Sequence, residues 1–281
     1  MIHILMAVGA AALWAGSIVG VKELSSVLQA PVIAFLRFAL ALVCLLPFFS
    51  LRDYKKISRK HMPLFGGMGA SMLAVFVLTV IALQHASLTT FAIIVMSHPL
   101  AIMLASAILE RKMPARNHII AMALAFGGIG FVVTKGGAMA MGYGEQMALA
   151  AMACQVVYAL VMQRLNNAYS PAMTMLMMSA WGAVLVAPFL INMGVIETLQ
   201  VLSWEHWAMV AGVGVLGTAG AFTLYAHVID KLGASKASQL VLCGSLLLIA
   251  AAAHFVLAQP IMMEQIVGGV LVMAGLLLGF C

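Results

Sequence analysis

Ten apolar stretches, each near the length of a membrane-crossing helix, occupy almost all of this 281-residue chain. A helix needs about 20 apolar residues to cross roughly 30 Å of hydrocarbon. The stretches read as spans at residues 2–21, 31–50, 63–84, 88–109, 117–134, 146–163, 171–191, 207–228, 236–258 and 263–280. With 65% of residues hydrophobic and 8% charged, the chain lacks the polar surface that a soluble domain of this size needs. Most side chains must meet lipid, so the expected fold class is an all-α integral membrane protein with ten transmembrane helices. A β-barrel would show apolar–polar alternation over about ten residues. Runs such as Leu246–Ala253 show none.

Span 1 is not read as a cleaved signal peptide. Only Met1–His3 precede the apolar run, and it continues into Lys22-Glu23 and a second span. The four cysteines, Cys44, Cys154, Cys243 and Cys281, sit in or beside apolar helices with no metal-ligand spacing. They read as small buried hydrophobes, and no cofactor is implied.

The net charge of +6 answers a question of topology. Loops after even-numbered spans hold Arg52, Lys55, Lys56, Arg59, Lys60, Arg111, Lys112, Arg116, Arg164, Lys231 and Lys236, whereas loops after odd-numbered spans hold Lys22 and Lys135. Cytoplasmic loops carry the excess Lys and Arg. Both termini are therefore expected in the cytoplasm, with the cytoplasmic (inner) membrane as the location. The run Arg52–Lys60 is a topology signal and a headgroup contact, and no nucleic-acid partner is expected.

Ten spans divide as five plus five, over residues 1–140 and 141–281. Pro31 opens span 2 as Pro171 opens span 7. Trp14-Ala-Gly-Ser17 falls opposite Gln155-Val-Val-Tyr158, and residues 86–134 lie against 233–281 at a constant offset that brings Gly128 onto Gly275. A unit that crosses an odd number of times delivers its copy from the other side, so the halves must be two inverted five-helix repeats. Inverted repeats recur in secondary transporters, with the binding site near the midplane between the halves. Gly16-x-x-x-Gly20, Gly275-x-x-x-Gly279, Gly66-Gly67-x-Gly69, Gly127-Gly128-x-Gly130 and the series Gly212, Gly214, Gly217, Gly220 supply the small surfaces on which helices pack in lipid. Some of them are also candidates for bending or sliding.

Pro31-x5-Arg37, Ser97-His98-Pro99, Leu109-Glu110-Arg111 and Gly127-Gly128-Ile129-Gly130 stand in order along the spans. With the length, span number and duplication, these make the chain resemble the ten-helix EamA-type members of the drug/metabolite transporter superfamily. The resemblance implies a carrier of small metabolites with a central cavity lined by both halves. One departure is Ala258-Gln259-Pro260, which stands at the end of span 9 where span 4 has Glu110.

The polar groups kept inside the spans are the candidate site. An arginine in lipid costs about 2.5–3.5 kcal/mol on insertion scales and normally faces a cavity or a partner. Arg37, about 9 Å deep at 1.5 Å per residue, is expected to pair with Glu23 as a clamp or external gate; the competing reading gives it a substrate carboxylate. His98 lies mid-span before Pro99, which frees the carbonyl near Val95 and creates a polar spot. It is a candidate ligand or protonation switch, and His254 is a weaker one. His61, His85, His206 and His227 read as interfacial anchors. Trp14 with Ser17, and Gln155 with Tyr158, share helix faces three residues apart. Tyr225, Gln239 and Ser245 extend the expected lining. These uncharged groups point to a small neutral or zwitterionic metabolite such as an amino acid, nucleoside or vitamin, carried by a monomer or homodimer in the lipid bilayer. All eight acids fall at helix ends or in loops. That argues against carboxylate-based proton coupling at the midplane and leaves facilitated diffusion or coupling through His98. The rival readings are an intramembrane enzyme using Ser245 and His98, and a passive scaffold or sensor. The enzyme reading lacks a glycine after the serine, since Leu246 stands there. The scaffold reading lacks a soluble output domain.

Overall fold

A computed structural model describes residues 2–49, 57–134, 141–191, 193–200, 202–232 and 234–279. Arg52, Asp53, Lys55, Lys56, Lys135 and Cys281 lie outside them, as do the side chains of His227, Asp230, Lys231 and Lys236. The ten expected spans are all present as helices, and the described residues contain no strand.

Span 1 is Ile2–Leu24 and span 2 is Ala30–Leu45, with a tight final turn at Leu46–Phe48. Span 3 is Met62–His85, span 5 Arg116–Val133, span 6 Tyr143–Asn166 and span 7 Pro171–Leu190. Span 9 is Ala234–Phe255 and span 10 is Met263–Leu278. Among the described residues, nine are long and apolar enough to cross a bilayer, and the tenth, Met263–Gly279, is apolar but shorter. The chain is a multi-pass membrane protein. A short helix, Val195–Gln200, lies between spans 7 and 8 and was not expected from hydropathy.

Local chemistry sets the helix starts. Ser87, Ser170 and Ser203 each accept a hydrogen bond from a first-turn amide, at Thr90, Met173 and His206. Each cap satisfies one of the donors that a helix N-terminus leaves without a partner. Pro31 and Pro171 occupy first-turn positions, where the missing N–H costs nothing. Span 4 ends at Arg111 in the left-handed conformation, φ 52°.

Two spans depart from plain α-helix. Span 4 breaks into Leu88–Met96 and His98–Glu110 at Ser97, whose hydroxyl donates to Ile94 O at 2.6 Å. The cause is Pro99, which cannot donate to the carbonyl one turn back. Span 8 runs from Trp204 to Leu232 but widens to a π-helical stretch over Gly212–Gly220. Thr218 Oγ1 donates to Val213 O across that wide turn at 3.0 Å.

The packing has the symmetry of the duplication. Span 3 lies along span 6, and span 1 along span 8; span 1 meets span 9, and span 6 meets span 4. Replacing each span by its counterpart in the other half turns each member of these pairs of contacts into the other. Spans 2 and 7 pack against each other, as do spans 5 and 10, which places their seams on the axis relating the halves. Glycines make this approach possible. A Cβ at Gly128 would lie 2.6 Å from Gly268 O, and one at Gly275 would lie 2.6 Å from Ala121 O. The offset that takes Gly128 to Gly275 takes Ala121 to Gly268. In the same way span 3 admits span 7 at Gly69 beside Trp181, and span 8 admits span 2 at Gly214 beside Leu40. The fold is two inverted five-helix repeats.

The bundle end opposite Ile2 and Leu278 is fastened by polar groups. Gln265 Nε2 donates to Ser87 Oγ at 2.7 Å and to Thr90 Oγ1 at 2.9 Å, while its Oε1 accepts from Met262 N at 3.0 Å. Gln259 Oε1 accepts from Leu88 N at 3.1 Å, so span 10 and the turn before it cap the start of span 4. Lys22 Nζ donates to Leu83 O, and Gln84 Nε2 donates to Ser25 O at 2.9 Å. Lys22 therefore extends span 1 three residues past the expected end without leaving its ammonium unpaired.

Candidate functional site

Between the halves lies a cavity of about 80 Å³. Span 1 contributes Trp14, Ser17 and Ile18 to its wall; span 2 contributes Arg37. Span 3 contributes Met72, Val75, Phe76 and Thr79, and span 4 contributes Phe91, Val95, Met96 and His98. The second half supplies Gln155 from span 6, Phe222 from span 8 and Leu242 from span 9. Among the described residues, no carboxylate lines it. Of the residues expected from the sequence, Trp14, Ser17, His98, Gln155 and Arg37 are brought together here.

His98 is held by the helix break. Its Nδ1 lies 2.9 Å from Val95 O, the carbonyl that Pro99 leaves without an amide. A carbonyl only accepts, so Nδ1 carries the proton in this bond. In the neutral imidazole Nε2 is then an acceptor, on a side chain that lines the cavity. Ser17 is buried, and its hydroxyl has no partner within the described residues. It lies against the π-helical stretch, where Gly217 leaves room for it. Trp14 is fixed by Phe222 and Tyr225, with ring centroids 5.2 and 5.1 Å away.

Arg37 takes a different position from the one expected. Glu23 is exposed at the end of span 1, and among the described residues no ion pair joins it to Arg37. Arg37 is buried, 6% exposed, with its Nε donating to Thr218 Oγ1 at 3.3 Å. Its central carbon lies 3.7 Å from the centroid of the Phe76 ring, a cation–π contact. The expected Glu23–Arg37 pair is thus replaced by a hydroxyl and a ring face. At this depth the interior is nearer to the guanidinium than the helix end is.

Four expected lining residues lie outside the wall. Tyr158 is buried, with its hydroxyl 3.6 Å from Met175 Sδ. Tyr225 stands behind Trp14 and its hydroxyl bonds Ser238 Oγ. Gln239 is buried, and its Oε1 has no partner among the described residues. Ser245 Oγ donates to Val241 O at 2.9 Å, with Ala11 O at 3.4 Å. It does not meet His98, so the serine–histidine pair of the enzyme reading is not formed. His254 is exposed and contacts its own loop, at Gln259 O. Among the anchors, His61 Nδ1 lies 2.8 Å from the Tyr169 hydroxyl, and His206 Nδ1 lies 2.8 Å from Ser203 Oγ. The span 3 wall was not foreseen. Met72, Val75 and Phe76 are apolar, and in a lipid-embedded helix apolar residues do not announce which face is inward.

Comparison with known proteins agrees with this architecture. The model of the EamA-like transporter family matches residues 1–134 and again 142–281, one match for each half. A solved crystal structure, described only as that of a protein, superposes with a TM-score of 0.66 at 17% identity. It covers 98% of this chain and 95% of its own, which shows a shared fold. No curated protein matches the chain. With both repeats matched and the ten-helix duplicated fold in place, the chain belongs to the EamA-like transporter family.

Proposed function

We propose that this protein is a secondary transporter that moves a small metabolite, neutral or zwitterionic in net charge, across the cytoplasmic membrane by alternating access. The observation that carries the reading is the cavity at the seam, walled by spans 1–4 of one repeat and spans 6, 8 and 9 of the other. A chamber bounded by two similar, inverted units opens to one side or the other as the units rock. The break in span 4 sits at this wall, where irregular backbone is tolerated because it lines a cavity, and the π-helical stretch of span 8 lies behind the wall against Ser17 and Arg37. Loop charge supports termini in the cytoplasm, with Arg59, Lys60, Arg111, Lys112, Arg116 and Arg164 at the terminal end of the bundle. A catalytic role finds no support in Ser245, whose hydroxyl is spent on helix carbonyls.

The test is uptake of radiolabelled amino acids, nucleosides and vitamins into proteoliposomes. Saturable uptake of at least one solute is expected, weakened in His98→Ala and Gln155→Ala. Flux equal to that of empty vesicles across the panel refutes the reading.

A further inference from the structure

We propose that Arg37 is the receptor for a carboxylate on the transported solute, a deepening that rests on the carrier reading above. Arg37 is buried beside the cavity, and its one hydrogen bond among the described residues leaves from Nε. The two terminal nitrogens hold four further N–H donors in a planar fork. A fork of that shape matches a carboxylate bidentately.

Three observations point to an anion from outside the protein. First, among the described residues no acid lines the cavity, and all eight acids of the chain fall at helix ends or in loops, so the sequence holds no neutralising partner at this depth. A buried cation without a counter-ion is costly, and chains keep one where it has a task. Second, the guanidinium is held on its other sides. Nε is tied to Thr218, which is itself fixed by Val213 O across the π turn, and the flat face rests on Phe76. Anchoring on Nε and one face orients the remaining edge before a ligand arrives, which lowers the ordering cost of binding. Third, the rest of the wall is mainly apolar and aromatic, with Trp14, Phe76, Phe91 and Phe222 among it. The ligand chemistry is therefore a carboxylate on a flat apolar body. An ammonium on the same solute meets His98 Nε2 or Gln155 as acceptors, and no carboxylate.

The test is a thermal-shift titration of the purified full-length protein with four probes of one size class: benzoate, phenylalanine, benzamide and benzylamine. Benzoate and phenylalanine are expected to stabilise the protein with half-saturation about 10- to 100-fold below the two probes lacking a carboxylate. Arg37→Gln is expected to abolish that preference. If Arg37→Gln does not fold, Thr218→Val decides: it keeps the charge, releases Nε, and is expected to shrink the preference several-fold. Equal shifts from benzamide and benzoate, or a preference intact in either variant, overturn the proposal. Saturable proteoliposome uptake with no carboxylate preference overturns it alone, whereas no saturable uptake of any solute removes the carrier reading with it.

Discussion

The seam between spans 5 and 10 allows the duplication to be tested at single-methyl resolution. Gly128→Ala places a carbon 2.6 Å from Gly268 O and 2.9 Å from Leu271 Cβ, where ordinary contact begins at 3.4 Å. The obstacle is backbone, so no side-chain rotation relieves it. The helices must part by about 0.8 Å, and a gap of that size forfeits a quarter to a half of the dispersion energy across it. Overpacking of this kind costs about 1–3 kcal/mol. Gly127→Ala is the control, because nothing lies within 4 Å of its added carbon. There the gain in helix propensity, up to about 1 kcal/mol, is unopposed. Gly275→Ala is the symmetry-related test, since its carbon falls 2.6 Å from Ala121 O. Thermal unfolding in detergent, followed by intrinsic fluorescence, should show Tm falling by about 2–12 °C in Gly128→Ala and Gly275→Ala at about 2–4 °C per kcal/mol. Gly127→Ala should hold or rise. Indistinguishable behaviour of the Gly127 and Gly128 variants, or a loss in Gly128→Ala without one in Gly275→Ala, refutes the packing argument.

Other expectations follow from the same geometry. Gly217→Ala drives a methyl into Ser17 Cβ and Oγ; Ser17→Gly restores the room but Ser17→Ala does not, so a double-mutant cycle in Tm should show about 1–2 kcal/mol of coupling with the first and little with the second. Ala258 holds φ 50°, which costs an L-residue about 1–2 kcal/mol; Ala258→Gly should raise Tm or leave it unchanged, and a fall would contradict that conformation. Gln265→Ala removes the bonds to Ser87 and Thr90 and the cap on Met262 N; a loss of about 1–2 kcal/mol is expected at about 0.6 kcal/mol per interhelical bond, with faster labelling of a cysteine placed at Ser87.

Hydropathy placed every span within a few residues because lipid punishes exposed backbone and rewards continuous helix. The break in span 4 was legible for a stereochemical reason, since Pro99 must release the Val95 carbonyl, and His98 takes it up. Inversion was legible from parity alone. The partner of Arg37 was not. Glu23 is the acid near in sequence, whereas the partner observed is Thr218, one residue in a run of glycines and apolar side chains. Nothing in that run distinguishes π from α winding, because the difference is one of backbone register. The span 3 wall was hidden for a related reason: Met72 and Val75 inside the cavity carry the same apolar signal as residues facing lipid. Tyr158 and Gln155 show the limit of face arguments. They stand three apart on one helix, yet only Gln155 reaches the cavity, because Tyr158 is long enough to be captured by Met175 in span 7.

The clasp formed by Gln265, Ser87, Thr90, Gln259 and Leu88 N has no twin. The offset that relates the repeats sends Ser87 and Thr90 to Ala234 and Ala237, and Gln265 and Gln259 to His118 and Lys112. Two alanines offer no hydroxyl, so the mirror image of the latch has nothing to grip. Under the alternating-access reading, three bonds at about 0.6 kcal/mol each, broken in the other state, would bias the two states by roughly 20-fold. If the halves rock as proposed, a machine duplicated in shape would be lopsided in energy: it would rest shut on one face of the membrane, and a solute arriving from that face would first have to unfasten it.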